Sequence, residues 1–261
     1  MDELITIGPR GLYGLLSEPP VPSTLPAVVL FNAGFVHKVG PFRLHVRLAR
    51  ALAAAGRLVL RLDLPGVGDA PNGDTPWLAA AGQALDAVQA RTGTSRFVVG
   101  GLCSAADLGW RLALADPRVG GLILLDGLAR RGAWFRLGQL QLFLCRPFSH
   151  WPGMLARRFG RSDPGDPAAE DLRDWPAPGS ERADMAGLLV RGVEIYALYT
   201  GGAAPYFLHP RQFTATFGAA ARAPQVRLEH WRDCDHAFYA NSDRRRLIAA
   251  LAQWMDQHCV A

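Results

Sequence analysis

An apolar run that ends in Gly-x-Cys-x-Ala and passes straight into a helical pattern most constrains what this chain can fold into. It reads Phe97-Val98-Val99-Gly100-Gly101-Leu102-Cys103-Ser104-Ala105-Ala106. A reactive residue on a sharp strand-to-helix turn needs small neighbours two positions before and two after, because the backbone there runs close to adjoining elements. Gly101 and Ala105 meet that need around Cys103. With Ser104 as nucleophile, Leu102 would stand where a small residue is required, so Ser104 is the weaker alternative, with an inert buried thiol as the other. A helix N-terminus and a neighbouring imidazolium both lower a thiol's pKa. The resulting thiolate attacks acyl carbonyls with less base assistance than a serine hydroxyl needs.

The segments around this turn alternate between apolar strands and helical patterns, the signature of a parallel sheet with crossover helices. Strands are expected at Ala27–Phe31, Leu58–Leu62, Phe97–Gly101, Gly121–Leu125, Val193–Tyr199 and Val226–Trp231, and helices at Phe42–Ala55, Trp77–Ala90, Ala105–Ala115 and Arg244–His258. Gly56 is placed to end the first helix as a C-cap. Leu4–Ile7 and Gly11–Leu16 read as an opening hairpin or edge strands, and the Pro-rich stretch 19–26 as a loop. The fold class is therefore α/β, a doubly wound and mostly parallel sheet.

Residues 128–190 break the rhythm. They hold no clean strand but contain Trp134, Phe135, Phe143, Phe148, Trp151 and Trp175. The domain division that follows is a core of 1–127 and 191–261 with a helical lid over 128–190. Ligands of open α/β sheets bind at the carboxyl edge, so Trp134, Phe135 and Trp151 are expected to contact substrate.

Composition narrows the classes. The net charge is +5, but all the basic charge except Lys38 is arginine, scattered apart from Arg244-Arg245-Arg246 on an expected surface helix. A nucleic-acid site would need a clustered patch, so no nucleic-acid partner is expected. No apolar run reaches the ~20 residues of a membrane span, and Met1–Leu4 is acidic where a signal peptide would be basic. The expectation is a cytoplasmic protein with reduced thiols. The four cysteines (Cys103, Cys145, Cys234, Cys259) lack zinc-ligand spacing, so neither metal nor cofactor is expected.

The base expected for Cys103 is His236, in Asp233-Cys234-Asp235-His236, which follows the last strand and precedes the C-terminal helix. The acid commonly follows the preceding strand, but the residues there are Thr200-Gly201-Gly202-Ala203, without a carboxylate. Leu124-Leu125-Asp126-Gly127 supplies one strand earlier, preserving the order nucleophile, acid, histidine. Asp126 is therefore the expected acid, with Asp233 and Asp235 as loop caps. The oxyanion hole is expected from Gly34 and Phe35, in Asn32-Ala33-Gly34-Phe35, together with the Ser104 amide. Asp63, in Asp63-Leu64-Pro65-Gly66-Val67-Gly68-Asp69, reads as architectural or as a brace for the elbow.

Together these segments resemble the α/β-hydrolase superfamily, and more narrowly the exosortase A system-associated hydrolases. The similar stretches are Asn32-Ala33-Gly34 with His37 and Gly40-Pro41, Gly101-Leu102-Cys103 with Ala105-Ala106, Phe148-Ser149-His150-Trp151, and Asp235-His236. The sequence departs from that family at Asp126-Gly127, where an Asn-Pro is usual, and at Gly202-Ala203, where an acid is usual. A Cys103–Asp126–His236 set also resembles the Dieckmann cyclases of tetramate biosynthesis. The resemblance implies a hydrolase fold with a nucleophile elbow. The expected activity is cleavage of an ester or thioester through a Cys103 acyl-enzyme, on a small-molecule or carrier-protein-bound acyl substrate. The alternatives are synthetic acyl transfer or cyclisation by the same residues, and a non-catalytic binding protein on this scaffold.

Overall fold

The computed structural model describes residues 2–144 and 178–259. Eight strands form one sheet: β1 (Asp2–Ile7), β2 (Leu12–Ser17), β3 (Ala27–Leu30), β4 (Val59–Leu62), β5 (Phe97–Leu102), β6 (Val119–Leu125), β7 (Glu194–Thr200) and β8 (Val226–Trp231). Their order across the sheet is β1-β2-β4-β3-β5-β6-β7-β8. The opening hairpin pairs antiparallel, as does β2 with β4, and every remaining neighbour is parallel. The inner parallel strands β3 to β7 are short and buried on both faces, so they read largely as continuous apolar runs, whereas the edge strand β8 is half-buried and alternates polar with apolar residues.

Helices cover both faces. On one side lie α1 (Leu44–Ala54) and, near the chain end, the long helix Asn241–His258; on the other lie α2 (Trp77–Thr92) and α3 (Ser104–Ala115). The side chains of β5 divide between the two cores: Phe97 and Val99 pack with α2 and α3, Val98 and Leu102 with α1 and the C-terminal helix. Each such fully buried side chain contributes roughly 1.5–3 kcal/mol. The site-bearing strand thus lies between two packed layers.

One helix boundary and one expected exposure differ from the sequence reading. Phe42 and Arg43 have positive φ (49° and 61°), so the first helix begins at Leu44 after a 3-10 turn. Arg244, expected on a surface, is buried and donates to the carbonyls of Phe238 and Tyr239, fastening the C-terminal helix under the His236 loop. Within 128–190 the described residues include two helices, α4 (Ala133–Leu144) and α5 (Glu181–Val190). A helix missing from the sequence reading, α6 (Arg211–Phe217), lies between β7 and β8; the Asn241–His258 helix is then α7. Among the described residues no helix is long and apolar enough to cross a membrane.

Candidate active site

Four segments meet at the carboxyl ends of the parallel strands: the loop after β3, the β5–α3 turn, the end of β6, and the loop after β8. Cys103 stands on the β5–α3 turn with φ 60° and ψ −120°, a conformation that L-residues avoid. Such strain costs on the order of 1–3 kcal/mol and persists only where the surroundings impose it. The surroundings here are close. A Cβ at Gly101 would lie 3.0 Å from the Ala105 Cβ, and one at Gly109 would lie 2.8 Å from the Gly100 Cα. Helix α3 therefore sits directly on β5, and the turn lifts Cys103 out at a half-exposed position. The requirement for small residues is thus a physical contact between positions 101 and 105.

Asp126 follows β6, is fully buried and has a positive φ of 50°. Its Oδ1 accepts from the Thr200 amide at 2.6 Å, and its Oδ2 from the Thr200 hydroxyl at 2.7 Å. Its backbone is tied as well, the amide to the Leu198 carbonyl and the carbonyl to the Tyr206 hydroxyl. His236 Nδ1 lies 2.7 Å from Oδ2. The hydrogen bond to Asp126, reinforced by one with Cys103, raises the His236 pKa to about 9 against the opposing effect of burial. Because Nδ1 is engaged by Asp126, the cysteine meets the other ring nitrogen.

The first two positions of the turn after β7, Gly201 and Gly202, have no room for a side chain. A Cβ on Gly202 would fall 2.4 Å from the His236 Cβ, and one on Gly201 would fall 2.4 Å from the Arg232 carbonyl oxygen. The end of β7 instead supplies Thr200, whose two donors hold the carboxylate presented from β6. Asp235 acts as a loop cap, accepting from the amides of Ala237 and Tyr239.

The loop after β3 differs in one respect from expectation. The Gly34 amide donates to the Ser104 hydroxyl at 2.7 Å, so it is engaged inside the fold rather than offered to a ligand. The same bond holds the Ser104 side chain, which is buried against this loop. Among the described residues the Phe35 amide has no acceptor. The Ser104 amide, in the first turn of α3, has no intrahelical partner. The Phe35 and Ser104 amides are thus left without a backbone acceptor, and both residues line the same cleft as Cys103.

A cleft of about 520 Å³ opens over Cys103, lined by Ala33 to Val36, Pro41, Leu102, Ser104, His236 and Ala237. Among the described residues no carboxylate, arginine or lysine lines it. Trp134 and Phe135 are placed elsewhere: Trp134 stacks on His209 at 5.0 Å with Arg211 over its ring, and Phe135 is buried beneath Arg131. Neither lines this cleft. Trp151 lies outside the described residues, as does Cys145. Cys234 and Cys259 are free and buried, with their thiol pKa values pushed up to about 12 by burial, so Cys103 is the accessible thiol among the described residues.

No family model matches the sequence, and no curated protein does. Solved structures match over the whole chain. A proline iminopeptidase from Mycobacterium smegmatis superposes with a TM-score of 0.61 at 18% identity, over 99% of this chain and 98% of that one. A candidate α/β hydrolase of unknown function from Agrobacterium tumefaciens gives 0.63 at 12% identity, over 100% and 99%. A lidless α/β serine hydrolase from Xanthomonas campestris gives 0.54 at 16% identity, over 100% and 96%. The chain has the α/β-hydrolase fold, with the strand order and elbow described above.

Proposed function

We propose that the protein is an acyl-transfer enzyme that uses Cys103 as nucleophile, His236 as acid and base, and Asp126 to orient the histidine. The observation that carries this reading is the strained Cys103 at the mouth of a cleft beside a histidine whose other nitrogen faces a fully buried carboxylate. An imidazolium beside a thiol favours the thiolate. In the first step Cys103 Sγ attacks the acyl carbonyl carbon, and the carbonyl oxygen takes the negative charge between the Phe35 and Ser104 amides. Collapse breaks the bond to the leaving alcohol or thiol, which takes the His236 proton, and leaves an acyl-thioester on Cys103. His236, now neutral, then draws a proton from the acceptor as that acceptor attacks the acyl-enzyme.

With water as acceptor the reaction is hydrolysis of an ester or thioester. With a hydroxyl, amine or carbon nucleophile it is transfer or cyclisation, the chemistry implied by the resemblance to Dieckmann cyclases. That resemblance, like the one to exosortase A system-associated hydrolases, rests on the quoted residues alone. Apart from His236, which is engaged in the chemistry, the described lining of the cleft carries no charged side chain, and this favours an acyl portion that is uncharged away from the reacting carbonyl.

Intact-mass measurement after incubation with aryl-ester and acyl-thioester probes tests the reading. A covalent acyl adduct on the wild type that Cys103→Ala lacks is expected. An adduct retained by Cys103→Ala would remove Cys103 from the mechanism. Free acid released in the presence of a small nucleophile, with no transfer product, would favour hydrolysis over transfer.

A further inference from the structure

The chain's only lysine is buried beside the active site, and none of the chemistry above uses it. Lys38 Nζ lies 2.8 Å from Asp63 Oδ2, 2.5 Å from Asp69 Oδ2 and 3.1 Å from His37 Nε2. It also stands 5.1 Å from the centroid of the Tyr13 ring. His37, Asp63 and Asp69 could by themselves be taken for metal ligands, but the lysine ammonium already occupies the place of the cation.

The ion pair sits under the loop that carries the Phe35 amide. Asp63 Oδ1 accepts from the Lys38 amide at 2.6 Å and from Asn32 Nδ2 at 2.8 Å; its Oδ2 accepts from Lys38 Nζ and from the Asp69 amide at 3.0 Å. Asn32 continues the network: Nδ2 also donates to the Val36 carbonyl at 2.7 Å, and Oδ1 accepts from the Leu64 amide at 2.7 Å. Three of the four donors to Asp63 therefore come from Asn32 and Lys38, the two ends of the loop. The middle is fastened from the other side, by Gly34 to the Ser104 hydroxyl. Between these fixed points lies Phe35. Burying an ammonium and a carboxylate costs desolvation that apolar side chains would avoid, and the return is a set of directional bonds that define one loop position.

We propose that Lys38 is a positioning residue for acyl transfer: through Asp63 it clamps the Asn32–Lys38 loop and holds the Phe35 amide at the cleft. The assignment rests on the functional reading above, and it separates two properties of Cys103. Attack on an acyl carbonyl needs the oxyanion donors, whereas alkylation of the thiolate by iodoacetamide generates no oxyanion and does not need them. Complete loss of one oxyanion donor costs roughly 10²- to 10³-fold, so a displaced one should cost roughly ten- to a hundredfold.

The test compares wild type, Lys38→Met, Lys38→Arg and the double variant Lys38→Met/Asp63→Asn, which removes the two buried charges together and leaves the exposed Asp69 with His37. Acylation of Cys103 by an aryl-ester probe and its alkylation by iodoacetamide are timed by peptide mass, with a thermal melt for each variant. The expected result is slower acylation in Lys38→Met and in the double variant, alkylation within about twofold of wild type, and substantial recovery in Lys38→Arg. Acylation within threefold of wild type in either folded methionine variant would overturn the clamp. So would acylation and alkylation falling by the same factor. A wild type that alkylates but takes no acyl group from any probe would overturn the functional reading, and this assignment with it.

Discussion

His236 Nδ1 and Asp126 Oδ2 lie 2.7 Å apart across 110 residues of sequence, with the carboxylate fully buried and the ring open to the cleft. This pair ties the end of β6 to the loop after β8. Substituting Asp126→Asn preserves shape but removes the charge that orients and protonates the ring. Turnover of an aryl-ester probe should fall on the order of 10⁴-fold. A loss below about tenfold in steady-state kinetics would exclude Asp126 as the orienting acid.

The same pair sets a pH dependence. His236 is raised to about 9, first by the Asp126 hydrogen bond and then by Cys103. The acylation rate should therefore hold up to the alkaline side of neutrality and decline near pH 9, as the proton needed by the leaving group is lost. In Asp126→Asn the residual activity should decline at lower pH, toward the ordinary histidine value of about 6.5. A basic limb that stays at the same pH in the variant would assign it to another group.

Stability should follow the same proton. The folded protein holds it more tightly than the unfolded chain, so the pair's contribution is complete below about pH 6.5 and disappears as pH rises through about 9. The melting temperature of wild type should exceed that of Asp126→Asn by a margin that narrows between these limits. A margin that widens with pH would contradict the assignment of the raised pKa to this contact.

How much of this was legible in the sequence depends on the range of the contacts. The elbow could be read because its essential contact, Gly101 against Ala105, lies within five residues. Asp126 could be reached by chain order once the turn after β7 showed no carboxylate. The reason that turn is empty was not legible: the approach of Gly202 to His236 joins residues 34 apart and exists only when β7 and β8 are paired. Thr200 as the holder of Asp126, Ser104 as the acceptor for Gly34, and Lys38 on Asp63 are long-range in the same way. Residue type alone marked Trp134 and Phe135 as substrate contacts, and the packing of Trp134 with His209 and Arg211 and of Phe135 with Arg131 left no signal in local pattern. The late start of α1 depends on left-handed backbone at Phe42 and Arg43, residues that carry no propensity for it.

The Ser104 hydroxyl gives a fourth prediction. Its bond from the Gly34 amide is buried and neutral, so Ser104→Ala should cost about 1 kcal/mol of stability and free the Gly34 amide from the elbow. Acylation should slow while Cys103 alkylation is unchanged, because the thiol itself is untouched. If Ser104 were the nucleophile, the same variant would abolish the covalent adduct. Intact mass of Ser104→Ala with an acyl probe separates the two outcomes.

Gly202 provides the most local test of the histidine's placement. Its Cβ position falls 2.4 Å from the His236 Cβ and 2.5 Å from the His236 amide nitrogen, both on the neighbouring loop rather than on a flexible side-chain tip. Gly202→Ala must therefore push the His236 loop away from β7, while Asp126 stays fixed by Thr200 and by its backbone bonds to Leu198 and Tyr206. A displacement of about 1 Å at a catalytic group can cost on the order of 10²-fold. The expected phenotype is a folded protein with a strongly reduced acylation rate and a basic limb shifted down, because the lengthened contact with Asp126 no longer raises the histidine. Full activity in Gly202→Ala would mean that the His236 loop tolerates the shift, and that the absence of a side chain after β7 does not serve to seat the histidine.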